Sequence, residues 1–270
     1  MTPPETDWDD AYANMAHVPG SDALPAHWAS EAADYRASGV SIEENISYGD
    51  APRQKLDIVW PDATPKGLAV FVHGGYWMRL YKSDWTQFAE GARAAGWAVA
   101  IPGYTLTPEA QISQITQEIC AAVQCAAERV AGPIRLSGHS AGGHLVARLA
   151  CRDIDLPCTP RIAHILSISG LHDLRPLIQT KMNDTLGLDL AGARAESPAL
   201  LEPRSGTALT AWVGGGERPE FVRQTELLDL SWKSFDVATT GFVDSIHNHF
   251  SVIEGLKSPN SAITRAFVGG

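Results

Sequence analysis

The sequence predicts a single α/β body, a mostly parallel eight-stranded sheet with helices on both faces. Two observations carry that expectation. Short, almost wholly apolar runs recur along the chain, as at 68–72 and 98–101, which suits parallel strands buried on both sides. Between them lie segments whose apolar residues recur at steps of three and four, the helical period. With 270 residues and 44% hydrophobic content, the chain can fill one large core without dividing.

Residues 1–40 read as a separate, weakly helical segment, with Trp8, Tyr12, Trp28 and Tyr35 among polar residues and alanines. That segment is expected to pack over the body as a partial lid, and 41–270 to form the catalytic domain. Strands are expected at 40–47, 55–60, 68–72, 98–101, 134–137, 162–168, 209–213 and 234–237. The first two alternate in polarity and so suit an antiparallel edge. A helix is expected over 109–130, where Ile112, Ile115, Ile119, Ala122 and Ala126 share a face and Gly132-Pro133 ends it. Another is expected from Ser140 to about Arg152.

The formal net charge of −10 makes nucleic acid and anionic membrane surfaces unfavourable partners. No apolar run approaches the ~20 residues needed to span a bilayer. The N-terminus lacks the basic and apolar regions of a signal peptide, so a soluble, cytoplasmic protein is expected. Cys120, Cys125, Cys151 and Cys158 form no C-x-x-C pair and read as buried small hydrophobes. A small-molecule substrate is the expected partner, and a homodimer is left open.

The chemistry centres on Gly138-His139-Ser140-Ala141-Gly142. A G-x-S-x-G match alone is weak, but here a plausible short strand, Ile134-Arg135-Leu136-Ser137, precedes it and a helical pattern follows. That context makes Ser140 the nucleophile on a sharp strand-to-helix turn. Glycines at 138 and 142 let backbone pass where a side chain would collide. The Ala141 N–H, at a helix start, can donate to an oxyanion. A second set of donors is expected from Gly75 and Tyr76, in His73-Gly74-Gly75-Tyr76-Trp77 directly after the 68–72 strand. His73 reads as a brace for that loop.

A Ser–His–acid system on this fold runs in the chain order Ser, acid, His. After the 209–213 strand comes Gly214-Gly215-Gly216-Glu217-Arg218-Pro219-Glu220-Phe221. Glu217 closes the turn and is the preferred acid. Glu220 falls in the first turn of the next helix, where it complements the helix dipole, and Asp229 and Asp244 are the remaining alternatives. His247 and His249 are both candidates for the base, and nothing local separates them. An H-x-H pair can ligand zinc, but no third ligand lies at a telling distance, so neither metal nor cofactor is expected.

With these residues in place, the sequence resembles the kynurenine formamidase (arylformamidase) branch of the α/β-hydrolases. The resemblance rests on His73 to Trp77, Gly138 through Leu145, Ser169-Gly170-Leu171-His172-Asp173-Leu174 and Val213 through Phe221. Tyr104-Thr105-Leu106-Thr107-Pro108-Glu109 resembles a run of the hormone-sensitive-lipase group. The resemblance implies the α/β-hydrolase fold, Glu217 as the acid and His249, before Phe250, as the base. The family usually carries Asp at the acid position, and Glu needs about one extra methylene of room.

The implied activity is transfer of a small acyl group from a formamide or ester, with Trp77 and His139 at the substrate pocket. A general carboxylesterase or thioesterase would share every one of these residues. A non-catalytic binding protein on the same scaffold would typically have lost the Ser or the His, and both are present.

Overall fold

The computed structural model describes residues 6–269. Eight strands form one sheet: β1 (Ile42–Ser47), β2 (Lys55–Val59), β3 (Leu68–Val72), β4 (Ala98–Pro102), β5 (Ile134–His139), β6 (Ile162–Ile168), β7 (Ala208–Gly214) and β8 (Ala238–Asp244). The spatial order is β1-β2-β4-β3-β5-β6-β7-β8. β2 pairs antiparallel with both β1 and β4, and every later pairing is parallel.

The apolar runs have a direct structural reason. In β3, Leu68, Val70 and Val72 enter the core on one face of the sheet, while Ala69 and Phe71 enter the core on the other. β4 divides likewise, Ala98 and Ala100 against Val99 and Ile101. A period-2 strand with both faces covered must be apolar throughout.

The first core is closed by α4 (Ile112–Arg129), α5 (Ala141–Arg148) and α8 (Pro219–Trp232). The second is closed by α2 (Leu24–Ala37), a 3-10 stretch at Lys82–Ala89, α3 (Glu90–Ala94) and α9 (Ala262–Val268). Short helices α1 (Trp8–Ala11), α6 (Asn183–Leu186) and α7 (Leu190–Ala195) lie outside the sheet. In α4, the buried Ile112, Ile115, Ile119, Ala122 and Ala126 keep the expected stripe. The helix starts three residues later than the expected residue 109, at the first residue of its apolar stripe, because a capping box between Gln111 and Gln114 fixes its first turn.

The last strand departs from expectation. Residues 234–237 form the turn after α8, with the Phe235 N–H donating to the Trp232 carbonyl at 3.0 Å and the Val237 N–H to the Phe235 carbonyl at 2.9 Å. β8 follows at Ala238–Asp244 and pairs only with β7. As a largely exposed edge strand it lacks the apolar run that marks the central ones.

The four cysteines are free; Cys120, Cys151 and Cys158 are buried and Cys125 is half-buried. Burial pushes the thiols of Cys120 and Cys151 up to about 12, so both stay protonated and unreactive at neutral pH. Among the described residues no helix is long and apolar enough to cross a membrane.

Candidate active site

β5 delivers the chain to Ser140, and α5 leaves immediately after it. Ser140 has φ +56° and ψ −116°, a conformation L residues rarely adopt, costing on the order of 1–3 kcal/mol. It is pinned by its N–H on the Ile168 carbonyl at 2.8 Å and by its own carbonyl, which accepts from the His144 N–H at 3.1 Å. A Cβ on Gly142 would stand 2.0 Å from the Val72 carbonyl oxygen, and one on Gly138 would stand 2.3 Å from the Gly142 oxygen. Only glycine allows the turn to close at both positions.

Ser140 lines a cavity of about 370 Å³ together with His139, His249, Gly75 and Tyr76. Glu217 ends the turn after β7, and its Oε2 lies 2.6 Å from His249 Nδ1. Both side chains are almost wholly shielded from water, at 0% and 5% exposure. An ionised carboxylate can only accept. Nδ1 therefore carries the proton, and Nε2 is left as the ring's acceptor. Among the described residues no hydrogen bond joins Ser140 Oγ to His249, although both line the cavity; such contacts often tighten only with substrate bound.

The other oxygen of Glu217 is held as well. Oε1 accepts from Ser169 Oγ at 2.6 Å and from the Gly214 N–H at 2.7 Å. The His249 ring packs edge-on against Phe221 and Phe250, with centroids 4.6 and 5.3 Å away. His139 Nε2 donates to the His249 carbonyl at 2.8 Å. Burial first, and the neighbouring His249 second, hold His139 well below the usual histidine range, so it is a neutral strut for the loop.

The side chains of Glu220, Asp229 and His247 are otherwise engaged, and among the described residues no side-chain hydrogen bond joins Asp244 to either histidine. Glu220 accepts from Tyr12, Gln224 and Arg223. Asp229 pairs with Lys233 at 2.6 Å and accepts from Thr239. Asp244 ends β8, and its carbonyl accepts the Gly215 N–H. His247 Nδ1 meets Ser251 Oγ at 3.1 Å, so the two imidazoles of the H-x-H pair address different partners.

Three backbone N–H groups, of Gly75, Tyr76 and Ala141, have no protein acceptor among the described residues. Gly75 has φ +113° and Tyr76 φ +51°, and a Cβ on Gly75 would stand 2.3 Å from the Arg79 carbonyl oxygen. Glycine at 74 lets the loop reach the serine, since a Cβ there would come 3.1 Å from Ser140 Cβ. The Tyr76 hydroxyl donates to the Tyr12 carbonyl at 2.6 Å. His73 braces the loop: Nδ1 lies 2.7 Å from the Gly74 oxygen, and the ring stacks on Tyr104 at 4.3 Å.

Trp77 corrects one expectation. It is completely buried in the core, edge-on to His144 at 5.0 Å, and does not line the cavity. The positive φ of +58° at Trp77 accompanies this inward turn of the side chain. The aromatic wall comes instead from Trp28, Trp85 and Phe250, with Tyr12, Asn14, Met15 and Leu24 from the N-terminal segment. Sequence reasoning also missed Ser169 and the Gly214 N–H. Ser169 did stand inside a conspicuous Ser-Gly-Leu-His-Asp run, whereas a backbone donor leaves no sequence trace.

Comparison with known proteins bears on the fold and the family. A family model described as alpha/beta hydrolase fold matches residues 69–199. A kynurenine formamidase from Danio rerio is 28% identical over 233 residues, covering 82% of this chain and 79% of that protein. One from Salmo salar is 29% identical over 234 residues, with the same shares covered. Among solved structures, a putative thioesterase from a Silicibacter species is 45% identical, with a TM-score of 0.91, over 97% of this chain and 99% of that one.

Proposed function

Because this chain belongs to the α/β-hydrolase family, we propose that it is a serine hydrolase removing a small acyl group, from a formamide or an ester, through Ser140, His249 and Glu217. The observation that carries the proposal is the buried 2.6 Å contact between Glu217 and His249 Nδ1, beside a cavity that also holds the strained Ser140.

In the proposed reaction His249 Nε2 takes the Ser140 hydroxyl proton as Oγ bonds to the substrate carbonyl carbon. Glu217 keeps the ring in the Nδ1–H tautomer and offsets the imidazolium charge. The oxyanion settles among the free N–H groups of Ala141, Gly75 and Tyr76. His249 returns the proton to the leaving nitrogen or oxygen as that bond breaks. Water, deprotonated by His249, then releases the acyl group as an acid and restores Ser140.

The likeness to kynurenine formamidases across 82% of the chain favours an aryl formamide as substrate. An aromatic-walled cavity suits an aryl leaving group. A second reading, an ester or thioester hydrolase, draws on the 45% identity to the putative thioesterase. Turnover of N-formylkynurenine, p-nitrophenyl acetate and a short acyl thioester by wild type and Ser140→Ala separates the two. The formamide reading expects kcat/KM highest on N-formylkynurenine, and it is lost if that substrate is untouched while the ester or thioester turns over. Full activity of Ser140→Ala on all three would overturn the serine mechanism itself.

A further inference from the structure

The Ser169-Gly170-Leu171-His172-Asp173-Leu174 run follows β6 and has no part in the reaction described so far. Its first residue is the informative one. Ser169 is completely buried, yet it adopts φ +50°, a region that disfavours any residue with a Cβ. Its N–H donates to the Trp212 carbonyl on β7 at 2.6 Å, which fixes this backbone against the neighbouring strand. The strained main chain carries the hydroxyl to Glu217 Oε1, 2.6 Å away. Oε1 also accepts the Gly214 N–H at 2.7 Å, so one oxygen has two donors and the other faces His249 alone.

We propose that Ser169 is a positioning residue for acyl transfer: its hydroxyl, with the Gly214 N–H, clamps Oε1 of Glu217 so that Oε2 is held on His249 Nδ1. This inference rests on the proposed roles of Ser140, His249 and Glu217. The physical argument has two parts. A glutamate has one more rotatable bond than an aspartate, so it needs a second anchor to present a fixed oxygen to the imidazole. A donor on the carboxylate also withdraws negative charge from it and weakens its pull on the imidazolium. Ser169 thus sets both where the carboxylate points and how strongly it favours a protonated His249. Backbone held in a sparsely populated region, as at Ser169, clusters at active sites.

The experiment compares Ser169→Ala and Ser169→Gly with wild type, following kcat/KM on p-nitrophenyl acetate or N-formylkynurenine, whichever wild type turns over, from pH 5 to 9, with Tm measured alongside. Both variants lose the hydroxyl, but glycine accepts φ +50° without strain, so the pair separates the hydroxyl from the backbone. Each is expected to lose about tenfold in kcat/KM. In each, the acid limb of the profile should move: to higher pH where the carboxylate stays on Nδ1 with its charge less dispersed, to lower pH where the freed carboxylate leaves the ring. A folded glycine variant with wild-type kcat/KM and an unmoved acid limb overturns the proposal. So does a loss of rate with the limb unmoved, which would mark a merely structural serine. Ser140→Ala is run in parallel: if it keeps full activity, the failure lies in the reaction scheme and not in the clamp.

Discussion

Glu217→Asp probes how tightly the carboxylate is held. Shortening the side chain by one carbon withdraws the carboxylate by about 1.5 Å. The 2.6 Å contact to His249 Nδ1 and the contacts of 2.6 and 2.7 Å from Ser169 and Gly214 cannot all survive that change. If the carboxylate stays on its two donors, the gap to Nδ1 opens to roughly 4 Å, beyond hydrogen-bond reach. A hydrogen bond to a charged group contributes about 1.5–3 kcal/mol, which corresponds to a loss of about 10- to 150-fold in kcat/KM. The buried site also loses one methylene, worth about 1 kcal/mol of stability. Steady-state kinetics on the better of p-nitrophenyl acetate and N-formylkynurenine, beside a urea unfolding curve, measures both quantities. A variant within threefold of wild-type kcat/KM would refute the reasoning, because the backbone would then have to absorb the missing length at no cost.

Three further outcomes are expected. His249→Ala should lower kcat on the order of 10³-fold or more, whereas His247→Ala should stay within about threefold, since triad members act as a unit; reversed results would exchange the two histidines. Gly142→Ala should destabilise the protein by at least about 3 kcal/mol or prevent folding, because its Cβ would stand 2.0 Å from the Val72 carbonyl oxygen; an unshifted urea midpoint would contradict that contact. Burial holds His73, His144 and His172 down to about 3 from an ordinary 6.5. Each stays neutral in the folded protein but protonates in the unfolded chain, so stability present above pH 6.5 is lost as pH falls towards 3. At pH 5 each histidine should cost about 2 kcal/mol relative to pH 7, and urea curves that coincide at the two pH values would contradict this.

The readable and unreadable parts of the sequence divide on physical lines. β3 and β4 are buried on both faces, so every residue in them had to be apolar and their runs stood out. β8 is exposed on an edge and interrupted by Gly241, packed under Asp229. It carried no run, and the apolar Phe235 and Val237 of the preceding turn drew the expectation aside. The meeting of Glu217 and His249 beside the strained Ser140 turn was anticipated by the G-x-S-x-G context, the chain order and, for His249 over His247, the family resemblance. Trp77 was expected at the pocket and lies in the core, because burial within the core and exposure to a cavity look alike in sequence. The Gly214 N–H and the free donors at Gly75, Tyr76 and Ala141 are backbone groups, and only a structure shows which of them lack partners.

The central claim is that Ser140 is the nucleophile. Intact-protein and peptide mass spectrometry after exposure to a fluorophosphonate tests it most directly. The proposed mechanism expects one adduct per chain, on the peptide containing Ser140, and none on folded Ser140→Ala. No adduct on the folded wild type, or an adduct that persists in Ser140→Ala, would contradict it.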